Sequence, residues 1–228
     1  MTPPLVFVAD VQVPELAPGD EHHLRRVLRV RPGDELVVSD GSGRWRACRL
    51  GAGWAPEPDG EVQVEDRPEP AVTIAFAVTK GERPELAVQK LTELGVDRIV
   101  PFTAERSVVR WDGERARHHT ERLRRVAREA AMQSRRPFLP VLDDLVDFAT
   151  VSGLPGAVLA DRGGRPPSLA RPTVLVGPEG GWSEAERSVG MDSVTLGPHV
   201  LRAETAAMAA AFAMVALRHR VVTEGGHC

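Results

Sequence analysis

Apolar and polar positions along this 228-residue chain change their period near residue 70. Before it, the strand-length candidates are Leu5 to Ala9, Glu35 to Ser39, Trp45 to Leu50 and Glu61 to Glu65. Pro32-Gly33-Asp34 and Asp40-Gly41-Ser42-Gly43 punctuate them as turns. Only Glu21 to Val30 has helical spacing, with Leu24, Val27 and Leu28 on one face and His22, Arg25, Arg26 and Arg29 mostly off it. The pattern predicts a small β-barrel over residues 1–68. A Pro/Gly/acidic stretch ending in Asp66-Arg67-Pro68-Glu69-Pro70 predicts the linker.

From Ala71 to the end at residue 228, strands alternate with helices. Val72 to Val78 is an apolar run suited to a buried strand. Pro84 opens a helix carrying Leu86, Val88, Leu91 and Leu94 and stopped by Gly95; Arg98 to Pro101 is the next strand. Glu114 to Ser134 predicts a long basic helix closed by Pro137. Ala157 to Ala160, Thr173 to Val176 and Ser193 to Leu196 predict further strands, and Thr205 to Val222 a terminal helix. Such alternation argues for an α/β fold with a mostly parallel sheet.

Composition narrows the class. Cys48 and Cys228 are the only cysteines, so neither a disulfide framework nor a cysteine metal site is expected. The histidine pairs His22-His23 and His118-His119 lack the i, i+4 spacing of a zinc site, and no metal is expected. No basic-then-apolar leader opens the chain, and the longest apolar run, Ala206 to Leu217, is too short to span a membrane. A soluble, cytoplasmic protein is expected.

The net charge of -3 hides an asymmetry. From Arg98 to Arg136 there are eleven arginines against five carboxylates, and from His22 to Arg49 seven against three. Of 29 basic residues only Lys80 and Lys90 are lysine. GC-rich coding would give the same arginine bias, but clustering in two stretches favours a polyanion partner.

Two glycine-bearing loops carry the candidate chemistry. GPEGGWSEAE, Gly177 to Glu186, follows one predicted strand; LGPHVLRAETAAMAA, Leu196 to Ala210, follows the next. Two strand-end loops side by side can form a cleft beyond the carboxyl ends of a parallel sheet, where open α/β folds bind ligands. Three glycines at 177, 180 and 181 permit positive φ and close ligand approach, and Ser183-Glu184-Ala185-Glu186 fits a capping box. An ordinary tight strand-to-helix turn would look the same locally. GxGxxG and GxxxxGK[ST] are both missing, which argues against a phosphate-cradling loop. Arg202 and Glu204 sit at the mouth of the last helix, facing a substrate or forming a surface ion pair. The alanine-rich helix after them suits a subunit interface and an internal core helix equally.

GPEGGWSEAE followed by LGPHVLRAETA resembles the paired signature of the RsmE family, the 16S ribosomal RNA uridine-N3 methyltransferases. HLRRVLR (His23 to Arg29) with Pro32-Gly33-Asp34, QKLTELGV (Gln89 to Val96), Glu105-Arg106-Ser107 and EAAMQSRR (Glu129 to Arg136) agree in order and spacing, so the resemblance covers nearly the whole chain. It implies a SPOUT-type α/β domain over 71–228 with a deep trefoil knot, and a PUA-like RNA-binding β-barrel over 1–68. It also implies S-adenosylmethionine as cofactor, a homodimer, and 16S ribosomal RNA of the 30S subunit as partner. Val176, Gly177, Glu179, Gly180, Gly181, Leu196, Gly197, His199 and Leu201 are the implied cofactor residues.

Arg202 is the candidate cation for charge developing on the uracil oxygens, with Glu204 holding it or assisting proton removal. Arg25, Arg26, Arg29, Arg106, Arg110 and Arg136, with Arg124 and Arg125, are candidates for RNA phosphates, although a solvated face of a basic helix would look alike. The chain departs from the family pattern at His199, where arginine is usual. Met132 replaces a commonly acidic residue, Trp182 a phenylalanine, and Pro3-Pro4-Leu5 lacks a preceding arginine. A SPOUT ribose 2′-O-methyltransferase and a non-catalytic dimeric RNA-binding protein are the alternatives. HLRRVLR argues against the first and the intact Gly177 to Gly181 loop against the second.

Overall fold

A computed structural model describes residues 2–223 apart from 27, 28, 82 and 110. The chain divides into two compact units, residues 1–67 with 128–139, and residues 68–127 with 140–228. Among the described residues no helix is long and apolar enough to cross a membrane.

The first unit contains β1 (Leu5–Phe7), α1 (Pro18–Arg26), β2 (Glu35–Ser39), β3 (Arg44–Leu50), β4 (Pro56–Pro58) and β5 (Gln63–Val64). Their sheet runs in the order β1-β2-β3-β4, with β5 also on β3. β1 and β2 are parallel and the other pairs antiparallel. Apolar residues of β1, β2 and β3, Leu24 of α1, and Ala131 and Met132 form one core. Met132 is buried in this core, with the Arg128 guanidinium 3.2 Å from its Sδ. Arg128 donates to both carboxylate oxygens of Asp20 at 2.7 and 2.8 Å and to the Phe7 carbonyl at 2.9 Å. The structure thus draws residues 128–139, which the chain order places in the α/β half, into the first unit's core.

The second unit contains β6 (Thr73–Ala77), α2 (Arg83–Glu93), β7 (Arg98–Thr103), the first turns of α3 (Gly113–Ser134), β8 (Val141–Leu142), β9 (Val146–Asp147), α4 (Phe148–Ser152), β10 (Ala157–Arg165), β11 (Thr173–Val176), α5 (Glu184–Ser188), β12 (Ser193–Val194) and α6 (Ala203–Arg218). The sheet order is β12-β10-β11-β6-β7-β8, with β9 on β7, and every pairing is parallel. β6 is buried at every position, as a strand covered on both faces must be. Its alternate residues serve opposite layers. Ile74 and Phe76 pack with Val88, Leu91, Leu123, Ala207 and Met214, whereas Ala75 and Ala77 pack with Phe102, Val151 and Trp182.

Element boundaries differ from the sequence pattern where tertiary pairing decides. β10 continues five residues past Ala160, and the two-residue strands β8 and β9 carry no periodicity of their own. Leu86, placed by spacing on the core face of α2, is exposed. α2 does end on Gly95, at φ +95°, with Val96 N–H donating to the Leu91 carbonyl at 3.1 Å. In α6, Ala207, Ala210, Ala211 and Met214 are buried in the core while Phe212 is exposed.

Candidate active site

A cavity of about 270 Å³ opens where β10, β11 and β12 end. The loop after β11 gives one wall through Val176, Gly177, Glu179, Gly181 and Trp182; the loop after β12 gives another through Leu196, Gly197, His199 and Leu201. Of the expected cofactor residues only Gly180 does not line it. A Cβ on Gly180 would instead meet Arg106 at 3.2 Å, and the Arg106 guanidinium donates to the Gly180 carbonyl at 3.2 Å. Gly181 alone of the three glycines has positive φ, +68°. Gly177 lies under the Trp182 ring, which a Cβ would meet at 3.0 Å.

The first loop is braced from several directions. Trp182 is buried, stacks on Phe102 with ring centroids 6.2 Å apart, and donates its indole N–H to the Ala160 carbonyl at 3.0 Å. Ser183 and Glu186 form the expected capping box of α5. The second carboxylate oxygen of Glu186 accepts from the Glu105 amide at 2.9 Å, tying the loop after β11 to the loop after β7.

The second loop leaves backbone groups open. Among the described residues, the amides and carbonyls of Leu196, His199 and Leu201 have no protein hydrogen-bond partner. Backbone groups of this kind, half shielded beside a concavity, are the donors and acceptors a polar heterocycle can use. Small side chains of α6, Ala203 and Ala206, complete that side.

Spacing gave no role to Asp161, Arg162 or Arg187, yet all three line the cavity, with Asp161 and Arg187 ion-paired. Continuation of β10 past Ala160 brings Asp161 and Arg162 there, which no local pattern signals.

Arg202 and Glu204 do not line the cavity. Arg202 is exposed at the N-cap of α6 and, among the described residues, pairs with no carboxylate. Glu204 turns instead to Arg83 of α2, with the Arg83 Nε 3.9 Å from its Oε1, and its Oε2 is buried without a hydrogen-bond partner among the described residues. The same guanidinium pairs with Glu179. Arg83 therefore links the first loop to the first turn of α6, a function its sequence neighbours do not suggest.

Among the described residues, none of the other candidate arginines lines this cavity. Arg25 and Arg26 are exposed on α1, with Arg25 4.9 Å over the Trp54 ring. Arg29 lines a separate cavity in the first unit, Arg136 is partly buried there, and Arg110 lies outside the described residues. Arg124 pairs with Asp144 at 3.0 Å, whereas Arg125 is exposed. His118 is exposed, but His119 stacks on Trp111 at 4.4 Å. Burial, with Arg115 nearby, pushes the His119 pKa below the ordinary histidine value. Among the described residues no cluster of histidine, cysteine and carboxylate could hold a metal ion.

Comparison with known proteins gives these features a family. Residues 66–215 match the RNA methyltransferase domain, and residues 19–53 the RNA methyltransferase PUA domain. Ribosomal RNA small subunit methyltransferase E of Mycobacterium tuberculosis is 34% identical, over 92% of this chain and 89% of the relative. The Bacillus subtilis protein of the same name is 34% identical over 82% of this chain and 84% of its own. The crystal structure of the Neisseria gonorrhoeae enzyme of that name, bound to S-adenosyl methionine, superposes with a TM-score of 0.79 at 29% identity, covering 95% of this chain and 98% of that one. The architecture is accordingly the SPOUT-type knotted α/β domain with an N-terminal PUA-like barrel. Two family models that tile the chain in order, and relatives aligned over nearly its whole length, show that it belongs to the ribosomal RNA small subunit methyltransferase E family.

Proposed function

We propose that this chain methylates N3 of a uridine in 16S ribosomal RNA, with S-adenosylmethionine as methyl donor. The observation that carries the reading is the set of unpaired backbone groups in Leu196, His199 and Leu201, residues that line one cavity with Gly177, Glu179 and Gly181. Those groups suit the hydrogen-bonding edge of adenine, and Ala203 and Ala206 leave room beside them. When bound, S-adenosylmethionine supplies an already activated methyl group, so the residues around it must chiefly align donor and acceptor.

Uracil N3 loses an imide proton during methylation, and negative charge spreads to the flanking oxygens. Arg202, exposed and without a carboxylate partner among the described residues, is the cation we assign to that charge. Glu204 acts through position: held by Arg83, it fixes the turn that presents Arg202. N3 lies on the pairing edge, so the target base must be unpaired or flipped out. Arg25, Arg26, Arg29, Arg106, Arg110 and Arg136 are assigned to RNA phosphates of the 30S subunit. A homodimer is supported by two exposed large apolar side chains, Phe212 on α6 and Val200 in the second loop. We assign the protein to the cytoplasm on the strength of its proposed ribosomal RNA substrate.

The deciding experiment is nucleoside mass spectrometry on 30S subunits from a strain lacking this gene, after incubation with the purified protein and S-adenosylmethionine. Appearance of 3-methyluridine is expected. A 2′-O-methylated nucleoside would replace the assignment with ribose methylation, and no methylation would leave only RNA binding. Arg83→Ala should weaken S-adenosylmethionine binding by about three- to tenfold in calorimetry, the scale of two partly exposed ion pairs. Unchanged affinity would show that the two walls hold their places without Arg83.

A further inference from the structure

Two arginines of the first unit occupy backbone positions where glycine is the usual choice. Arg29, which follows α1, has φ +55°, and Arg135, directly after α3, has φ +57°. Val30 N–H donates to the Leu24 carbonyl at 3.0 Å and Arg136 N–H to the Ala131 carbonyl at 2.9 Å, closing the two helix ends around these residues. A left-handed residue at a helix end favours glycine because a Cβ is strained there. An arginine kept in such a place points to a use for its side chain.

Both residues line one cavity of about 630 Å³, within the roughly 300–1,000 Å³ range of small-ligand pockets. Its other charged groups are already engaged. Arg49 is 3.1 Å from Asp59 and 3.6 Å from Glu35, and Asp34 accepts from the Arg31 amide at 2.8 Å. Arg135 donates to the Thr2 carbonyl at 2.7 Å. Among the described residues neither Arg29 nor Arg135 pairs with a carboxylate. Two guanidinium groups without counter-charges at one concavity suit a phosphate, which their planar forks can grip with two hydrogen bonds each. Pro3 and Pro4 add an apolar wall beside them.

We infer that this cavity seats one nucleotide of the RNA substrate, its phosphate on Arg29 and Arg135 and its sugar and base against Pro3 and Pro4. The inference rests on the RNA-methyltransferase reading and adds a binding subsite to it.

Glycine replacement tests it sharply, because it removes the side chain and relieves the backbone together. The full-length chain would be titrated with a fluorescent 16S ribosomal RNA transcript at several salt concentrations. Arg29→Gly and Arg135→Gly should each weaken binding about tenfold, the value of a charge-assisted contact. Each should also reduce the slope of log affinity against log salt by about 0.7. Melting temperature should stay unchanged or rise, and S-adenosylmethionine affinity should not move. Arg135→Lys, which keeps both the charge and the left-handed backbone, should retain the salt slope.

Wild-type affinity and slope in both glycine variants would overturn the subsite. So would a fall in melting temperature that accounts for the lost binding, since the arginines would then be structural. Methyl transfer by the wild-type chain on 30S subunits separates the two layers. Transfer with normally binding glycine variants removes the subsite alone. A wild-type chain that neither binds nor methylates ribosomal RNA removes the methyltransferase reading and the subsite with it.

Discussion

An Asp97→Ala variant is expected to melt on the order of 10 °C below the wild-type chain. Asp97 and Arg218 form an ion pair whose side chains are 4% and 3% exposed. Asp97 Oδ2 also accepts from the Val72 amide at 2.8 Å, and Arg218 donates to the Gly95 carbonyl at 3.0 Å. Removing the carboxylate strands a buried guanidinium and an amide at once. Breaking a buried pair from one side costs about 3–5 kcal/mol, far more than the pair contributes over an apolar replacement. Asp97→Leu combined with Arg218→Met should therefore recover much of the loss. A thermal melt of the single variant within two or three degrees of wild type, as ~1 kcal/mol would give, would mean that water reaches the site. The pair anchors the far end of α6 to the start of β7, and α6 carries Ala203 and Ala206 into the cavity. Lower cofactor affinity should accompany the lower stability.

The second large effect is expected at Gly164. A Cβ there would lie 2.6 Å from backbone atoms of Ser193 and Val194, so no side-chain movement can relieve the contact. Gly164 stands in the irregular end of β10, where the pairing with β12 shifts register and Val194 is opposite both Ala160 and Arg165. Gly164→Ala must push β12 away, and β12 leads directly into the loop containing Leu196 to Leu201. Overpacking of this kind costs about 1–3 kcal/mol. If the displacement falls on the second loop, S-adenosylmethionine binding should drop by roughly tenfold to a hundredfold. Calorimetry would read this directly, and wild-type affinity would show that the strain is absorbed elsewhere.

Several features were legible in the residues themselves. The capping box at Ser183, the glycine stop at Gly95 and the unbroken apolar run of β6 each have a local cause, and each is in the structure. The two glycine loops also face one cavity, because parallel strands that lie near each other in a sheet bring their carboxyl-end loops to the same edge. Glycine roles were less legible. Gly180 makes room for Arg106, and Gly164 makes room for a strand nearly thirty positions later.

What the sequence determined alone was the alternation of elements, their caps and stops, and the family signature, since these depend on near neighbours and on residue order. The tertiary structure decided which charges meet. Arg202 and Glu204 are two residues apart, yet Glu204 pairs with Arg83, more than a hundred positions away. Residues 128–139 join the first unit because Ala131 and Met132 find their apolar surroundings there. Arg29 and Arg135 line one cavity although the chain separates them by a hundred positions. Helix periodicity records which face a side chain occupies, but a partner across the fold is set by packing, to which no local pattern refers.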